Sequence, residues 1–230
     1  MSAIAIITAR GGSKRIPGKN KKEFCGKPIL AYSVEAALAA GVFSRVMVST
    51  DDEGIAEIAK KYGAEVPFLR SEKTSDDYAT TGDVLLEVLA EYEGKGEWFD
   101  MVCCIYPTAP FVTGERLREA AGLLEESGAD SVLPVVRFSF PPQRCLVISA
   151  GSLQYKWPEY AQARSQDLDP FYHDAGQFYC LRGKSFLEQK TLVMRKTVPL
   201  ILPEMEIQDI DTEEDWELAQ VKYRLKHGGF

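Results

Sequence analysis

A run of glycines and basic residues follows the first apolar segment and reads Ala9-Arg-Gly-Gly-Ser-Lys-Arg-Ile-Pro-Gly-Lys-Asn20. Its four cations are Arg10, Lys14, Arg15 and Lys19. Adjacent Gly11 and Gly12 let the backbone approach a ligand closely, and successive N–H groups can form an anion nest. The run is neither a Walker-type P-loop nor GxGxxG. We predict a polyphosphate-binding loop of another kind; the alternative is a solvated basic turn.

A pair of carboxylates, Asp209 and Asp211, stands just before the last helical segment. Residues two apart in extended backbone project to the same face, so both side chains can reach one hard cation. Two carboxylates completed by phosphate oxygens and waters are a common Mg²⁺ arrangement. The alternative is that these acids serve the N-terminus of the helix beside Thr212. Together with the cationic loop, the pair favours a metal–phosphate site.

Two further segments are candidates for ligand contacts. Tyr106-Pro-Thr-Ala-Pro110 follows a nearly continuous apolar run, and it presents the Thr108 hydroxyl where α/β proteins form their sites. Otherwise it is a rigid strand-to-helix connection. Arg70 precedes a polar run, and its guanidinium could donate to a base such as cytosine unless it is a surface cation.

A polar stretch over 164–179 reads RSQDLDPFYHDAGQFY. Its Arg, Gln, Asp, His and Tyr side chains suit a polar, acidic sugar, and a buried hydrogen-bonding network is the alternative. A lone histidine, His173, is more often structural or exposed than catalytic, so the sequence does not identify a general base.

Alternating short apolar runs and helix-period segments must position these residues. We predict strands over 3–8, 45–50, 65–69, 100–106, 131–136, 177–181 and 197–202. We predict helices over 28–40, 51–62, 80–92, 113–127 and 212–226. This order indicates an α/β fold with a mostly parallel sheet flanked by helices on both faces. Residues 1–230 form one domain in this interpretation, with a β-rich insertion at about 138–170.

Composition excludes several classes of protein. The chain has 230 residues, with 27 Lys plus Arg against 34 Asp plus Glu, and a net charge of -7. That acidic balance argues against a general nucleic-acid binder. No apolar run approaches the ~20 residues that cross a bilayer. Five cysteines without CxxC spacing indicate reduced thiols and a cytoplasmic location, and two histidines are too few for a histidine-based metal site.

Taken together, the motifs ARGGSKRIPGKN, the Arg70 segment, YPTAP and DIDTEEDW resemble the acylneuraminate (sialic-acid-type) cytidylyltransferases, in order and over essentially the whole chain. That family typically has QPTSP where this chain has Tyr106, and NGAIY where it has 174–179. These departures, with EFCGKP and SQDLxPxYHDAGQFY, look like its pseudaminic acid members. The role of the glutamine is not carried over to Tyr106.

The resemblance implies a Rossmann-like α/β fold of the nucleotidyltransferase type, a reaction and an assembly. CTP and a nine-carbon 2-keto sugar acid would give a CMP-sugar and pyrophosphate, by attack of the anomeric C2 hydroxyl on the α-phosphorus. The product would serve surface-glycan or flagellin glycosylation. The β-rich insertion would be a dimerisation arm, making the protein a homodimer, and Mg²⁺ would be the cofactor.

The resemblance also implies residue roles. Catalytic roles fall to Lys19, Arg10 and Asp211, with Lys19 stabilising the departing pyrophosphate. The nucleotide site would comprise Arg10, Gly11, Gly12, Ser13, Lys19, Asn20, Arg70, Thr81 and Thr108, with Arg70 reading cytosine and Thr81 near the base or ribose. Mg²⁺ would be bound by Asp209 and Asp211. The sugar would contact Gln166, Asp174, Gln177 and Tyr179, with Arg164 on its carboxylate.

Three alternatives stay open on the sequence. The sugar could be legionaminic or N-acetylneuraminic acid. A glycosyltransferase that uses a nucleotide-sugar also employs an aspartate pair with a divalent metal, and a non-catalytic regulator would bind the nucleotide without turnover. Release of pyrophosphate from CTP would identify a cytidylyltransferase, whatever its sugar, and would distinguish it from a glycosyltransferase and from a regulator.

Overall fold

A seven-stranded mixed sheet forms the centre of the computed structural model, which describes residues 2–228. Its strands are β1 (Ala3–Thr8), β4 (Arg45–Ser49), β5 (Met101–Ile105), β6 (Ser131–Arg137), β9 (Tyr172–Asp174), β10 (Phe178–Arg182) and β11 (Thr197–Ile201). Outside it lie two hairpins, β2 (Glu23–Phe24) with β3 (Lys27–Pro28) and β7 (Leu146–Ser149) with β8 (Ser152–Tyr155). The helices are α1 (Ile29–Ala40), α2 (Glu53–Lys61), α3 (Thr81–Glu93), α4 (Gly114–Ser127), α5 (Gly183–Gln189) and α6 (Glu213–His227).

The strand order is β11-β6-β10-β5-β1-β4, and β9 pairs with β6. β1 is parallel to β4 and β5, and β11 is parallel to β6, whereas β10 is antiparallel to both of its neighbours. The prediction of a mostly parallel sheet flanked by helices is confirmed. Because β10 runs backwards, its first residues lie at the same edge of the sheet as the last residues of β1 and β5.

Both faces of the sheet are covered, as the apolar runs predict. On β1, Ala5 and Ile7 pack with α1 and α4, while Ile4 and Ile6 pack with α3 and α5 on the opposite face. Strands buried on both faces read as continuous apolar runs because neither set of alternating side chains meets water. Among the described residues, no helix is both long and apolar enough to cross a membrane.

The predicted strand over 65–69 is wrong. Only Glu65 pairs with the sheet, in an isolated bridge to Met47. Its N–H donates to the Val46 carbonyl at 2.8 Å, and its carbonyl accepts from Val48 at 2.9 Å. Pro67 follows two residues later and has no N–H with which to extend the ladder. The sequence prediction also missed α5 and β9; α5 has no side-chain cap to mark its start.

The segment at 138–170 contains the β7–β8 hairpin and three short 3-10 turns, and its hairpin strands pair only with each other. Every residue of β7 and β8 is exposed. Large apolar side chains point outward here, with Phe140 at 85%, Ile148 at 78% and Leu153 at 68% exposure. We refer to residues 138–170 as the arm.

Candidate active site

An apolar cluster brings the basic loop and the two aspartates to one place. Ile16 of the loop and Ile210 are both fully buried in this cluster, together with Trp216 of α6. Burying an isoleucine is worth roughly 1.5–3 kcal/mol, so the cluster holds both segments firmly. Because Ile210 points inward, Asp209 and Asp211 project to the other side, toward the basic loop.

Two adjoining cavities open where β1 and β5 end. The loop cavity has a volume of about 390 Å³, and its walls include Ser13, Lys19, Asn20 and Thr108. The Arg70 cavity has a volume of about 240 Å³, and its walls include Arg70 and Thr81. Both cavities are bounded by the same three residues, Thr8, Arg10 and Tyr106. They therefore form one cleft that a ligand of nucleotide size can span.

The two glycines of the loop have different roles. The Gly11 N–H donates to Asp51 Oδ1 at 2.8 Å, and a Cβ on Gly11 would lie 2.9 Å from Asp52 Cβ. Gly11 therefore lets the loop approach the start of α2, and its N–H is not offered to a ligand. Gly12 is exposed, lines the loop cavity and has open space around it. Of the two predicted positions, Gly12 is the one available for ligand contact.

Asp77 holds two of the loop's cations. Arg10 donates to the Asp76 carbonyl and to Asp77 Oδ1, both at 3.0 Å, and Lys14 also pairs with Asp77. Lys14 and then Arg10 keep the pKa of Asp77 below its usual range. Both pairs are solvent-accessible, so an incoming phosphate can replace this carboxylate at small cost. The sequence analysis missed Asp77, although the polar run after Arg70 contains it.

The other two cations face the aspartate pair. Arg15 Nη1 lies 2.6 Å from Asp211 Oδ2, and Lys19 Nζ lies 2.5 Å from the Ile210 carbonyl and 3.8 Å from Asp211 Oδ1. Burial lowers the pKa of Lys19 even though Asp211 and Asp209 act to raise it. Partial burial, and then the charge of Asp211, raise the pKa of Asp209. The two carboxylates therefore act on the same small volume.

The aspartate pair does not cap the following helix. Thr212 and Asp215 form a reciprocal capping box at the start of α6, which leaves the carboxylates of Asp209 and Asp211 for other partners.

Asp209 and Asp211 fit Mg²⁺, because two carboxylates leave the rest of its octahedron to water and phosphate oxygens. Arg15 is 67% exposed and can swing away from Asp211 when a cation binds. Across residues 2–228, no cluster of three or more His, Cys, Asp or Glu side chains suits a metal.

Arg70 is a buried wall of the cleft and not a surface cation. It is 8% exposed, its Nε donates to Ser49 Oγ at 3.0 Å, and its Nη2 donates to the Ser49 carbonyl at 2.6 Å. Burial lowers its pKa, and nearby Asp51 and Glu87 oppose that effect. Its Nη1 has only a 3.5 Å contact, with the Thr74 carbonyl, so this nitrogen retains donor capacity toward a ligand.

A third cavity, of about 410 Å³, lies beside the aspartate pair and is bounded by both Asp174 and Asp209. Asp174 accepts hydrogen bonds from the Gly176 N–H at 2.8 Å and from the Tyr179 hydroxyl. Burial and then the bond to Asp174 raise the pKa of Tyr179. We call this space the Asp174 cavity.

The other predicted sugar residues do not line the Asp174 cavity, and Tyr179, only 5% exposed, is connected to it through its bond to Asp174. Gln177 is buried, and its Nε2 donates to the Glu206 carbonyl at 2.6 Å. This amide therefore links the start of β10 to the segment before α6 and is not free to donate to a sugar. Arg164 and Gln166 are exposed on the arm, where Arg164 pairs with Asp167 at 2.7 Å. Asn20 is likewise occupied, since its Nδ2 donates to the Arg10 carbonyl at 2.9 Å and fixes the loop.

A cationic loop and a carboxylate pair, set at the strand ends of an α/β sheet beside a buried arginine, are the parts of a nucleotidyltransferase. A family model described as cytidylyltransferase matches residues 4–196. The chain belongs to this cytidylyltransferase family, and it is therefore an enzyme of the nucleotidyltransferase class.

Individual relatives agree with this assignment. The chain is 39% identical over 228 residues to the pseudaminic acid cytidylyltransferase of Campylobacter jejuni, covering 99% of this chain and 98% of the relative. It is 36% identical over 227 residues to the CMP-N,N'-diacetyllegionaminic acid synthase of Legionella pneumophila, covering 96% and 95%. The solved structure of CMP:2-keto-3-deoxy-manno-octonic acid synthetase complexed with CTP matches with a TM-score of 0.69 at 17% identity. That match covers 98% of this chain and 100% of the other, and it confirms the fold.

Proposed function

We propose that this enzyme activates a nonulosonic acid, specifically pseudaminic acid, by converting CTP and the sugar acid into the CMP-sugar and pyrophosphate. The observation that carries the proposal is the convergence of the basic loop and the aspartate pair on one cleft. The choice of sugar is supported by the near full-length similarity to the Campylobacter jejuni enzyme. We place the reaction in the cytoplasm, where the five free cysteines would stay reduced.

The triphosphate fits the loop cavity and the base fits the Arg70 cavity. Arg10, Ser13 and Lys19, with the backbone at Gly12, would surround the phosphates, and Arg70 would donate to cytosine acceptors. Thr108 adds a hydroxyl to the loop cavity. We assign Gly11 and Asn20 to shaping the loop, because their polar groups are bound to Asp51 and Arg10.

Catalysis in this proposal is mainly positioning and neutralisation of charge. The C2 hydroxyl of the sugar acid attacks the α-phosphorus and gives up its proton to water, the bond from that phosphorus to the β-phosphate oxygen breaks, and pyrophosphate departs. Lys19 and Arg10 offset the charge that develops on the leaving group. Mg²⁺, held by Asp209 and Asp211, would supply further charge neutralisation at the phosphate oxygens.

The sugar acid fits the Asp174 cavity, which borders Asp209. Asp174 is our candidate for contact with its hydroxyl and amide groups, and the buried Tyr179 hydroxyl would orient the Asp174 carboxylate. We further propose that the enzyme is a homodimer joined through the arm, because the exposed Ile148 and Leu153 side chains would be removed from water by an apolar partner surface. The arm of a second copy is also the route by which Arg164 and Gln166 could meet a sugar.

The test is a pyrophosphate-release assay with CTP and Mg²⁺, comparing pseudaminic, legionaminic and N-acetylneuraminic acids. We expect the highest kcat/KM with pseudaminic acid. Turnover of either other acid alone would reassign the sugar, and release of free CMP from a nucleotide-sugar, without pyrophosphate from CTP, would indicate a glycosyltransferase.

Asp211→Ala should lower Mg²⁺-dependent pyrophosphate release by on the order of 100-fold or more, because half of the carboxylate pair is lost. Glu214→Ala is the matched control, since Glu214 is an exposed acid on the same segment of chain. Full activity of the Asp211 variant would refute the metal assignment.

A further inference from the structure

We propose that Tyr106 is a specificity-determining residue that recognises the ribose hydroxyls of the nucleotide. The inference rests on the proposed function for the identity of that nucleotide. Its starting observation is the position of Tyr106, which borders both the loop cavity and the Arg70 cavity. A nucleotide with its phosphates in one cavity and its base in the other must place its ribose at their junction, beside Tyr106.

The Tyr106 side chain is rigidly held. Its backbone N–H donates to the Gln177 carbonyl at 2.8 Å, and its own carbonyl accepts from Ser33 Oγ at 2.8 Å. Its ring packs edge-on against Tyr179, with ring centres 5.6 Å apart and an interplanar angle of 64°. A preorganised phenol loses little conformational entropy when it binds a ligand.

The hydroxyl of Tyr106 is available for a ligand. Its one hydrogen-bond contact in the described part of the chain is with the Thr81 hydroxyl at 3.5 Å, the outer limit of a hydrogen bond, and the neighbouring Tyr179 hydroxyl already donates to Asp174. Arg10, which also borders the junction, bonds to Asp76 and Asp77 in this structure and is assigned to the phosphates in the proposed function. The junction therefore offers two neutral hydroxyls side by side on one wall, each able to donate and to accept.

Two adjacent hydroxyls match the chemistry of a vicinal diol. Ribose carries its 2′ and 3′ hydroxyls on neighbouring carbons of one face, so Tyr106 and Thr81 can each pair with one of them. A site that pairs with a substrate hydroxyl discriminates against the analogue that lacks it, because its own polar group is then left unpaired. Discrimination between ribo- and deoxyribonucleotides is thus the expected consequence.

The experiment compares CTP with 2′-deoxy-CTP and 3′-deoxy-CTP in the wild-type enzyme and in Tyr106→Phe. We expect the wild type to prefer CTP over at least one analogue by about tenfold in kcat/KM, as for one neutral hydrogen bond. In Tyr106→Phe that preference should fall to within about threefold, since the ring stays in place and only the hydroxyl is lost. Thr81→Val, which removes the neighbouring hydroxyl, should reduce discrimination as well.

Tyr92→Phe is the matched control. Its buried hydroxyl has no hydrogen-bond partner among the described residues and lies outside both cavities, so the preference should stay at the wild-type value. An unchanged preference in Tyr106→Phe, or a wild type that does not discriminate, would overturn the proposal. Calorimetric binding of the same three nucleotides without a sugar acid gives the corresponding ratio of Kd values. If no sugar acid is turned over, the proposed function is contradicted, whereas the binding comparison still tests the role of Tyr106.

Discussion

Replacing Arg70 with lysine is a direct test of the base-binding role that we propose for the Arg70 cavity. Arg70 donates two hydrogen bonds to Ser49, one from Nε and one from Nη2 of its planar guanidinium. A lysine keeps the charge, but its single ammonium can replace only one of the two bonds. The substitution therefore changes hydrogen bonding while leaving the net charge of the protein unaltered.

The structure sets the size of the expected effect. One charge-assisted hydrogen bond in a site only 8% exposed is worth about 1.5–3 kcal/mol. With the weaker Thr74 contact also lost, we expect Arg70→Lys to lower the free energy of unfolding by about 2–3 kcal/mol. For a chain of this length that corresponds to a fall in Tm of about 4–12 °C. Loss of a similar bond to cytosine should weaken CTP binding about 10- to 150-fold.

Urea unfolding gives the stability change, and calorimetry with CTP and UTP gives the affinity and the base preference. Arg45→Lys is the control, because Arg45 is 39% exposed and its pairs with Glu65 and Glu97 are at the surface. Surface pairs contribute at most about 1 kcal/mol, so this variant should behave nearly as the wild type. If Arg70→Lys retained wild-type stability and CTP affinity, the assignment of Arg70 to the base pocket would be refuted.

The remaining predictions concern the assembly and the backbone. Ile148→Asp should convert a dimer into a monomer in sedimentation experiments, whereas Val193→Asp, which alters an apolar residue 57% exposed outside the arm, should not. Gly183→Ala should lower the free energy of unfolding by about 3 kcal/mol or more, because the new Cβ would lie 2.1 Å from the Phe99 carbonyl oxygen. Gly122→Ala, where a Cβ meets open space inside α4, should instead stabilise by about 0.5–1 kcal/mol.

Each of these outcomes can contradict its reasoning. A monomeric wild-type protein would remove the basis for the arm contact, and dimers in Ile148→Asp would place the interface elsewhere. Wild-type stability in Gly183→Ala would mean that α5 and the segment before β5 separate easily, which their close approach argues against.

Local patterns predicted the parts of the site that depend on neighbouring residues. The basic loop after β1 and the aspartates around Ile210 are each defined within a few positions, and alternation in extended chain places both carboxylates on one side. The apolar runs likewise predicted the buried strands. The prediction of a strand over 65–69 was wrong because an apolar pattern does not show whether a partner strand and a free N–H are present.

Residue roles that depend on contacts between distant segments were not accessible from the sequence. Gln177 appeared as a candidate ligand, yet its amide is bound to the Glu206 carbonyl. Asp77 appeared as part of a polar run, yet it neutralises two cations of a loop more than sixty positions away. Side-chain type shows what bonds a residue can form, whereas the fold decides which partner is within reach.

The sequence by itself determined which groups are available to the site: a cationic glycine-containing loop, a carboxylate pair, and an α/β alternation that places loops at strand ends. Only the tertiary structure decided how these parts combine. The reversed strand β10 brings Tyr179 to the edge where β1 and β5 end, and β9, antiparallel to β6, places Asp174 opposite Val135 near the end of β6. Strand direction is set by long-range pairing that no local period records. Tyr106 acquired its position between the two cavities in the same way, through a backbone bond to Gln177, seventy-one positions further along the chain.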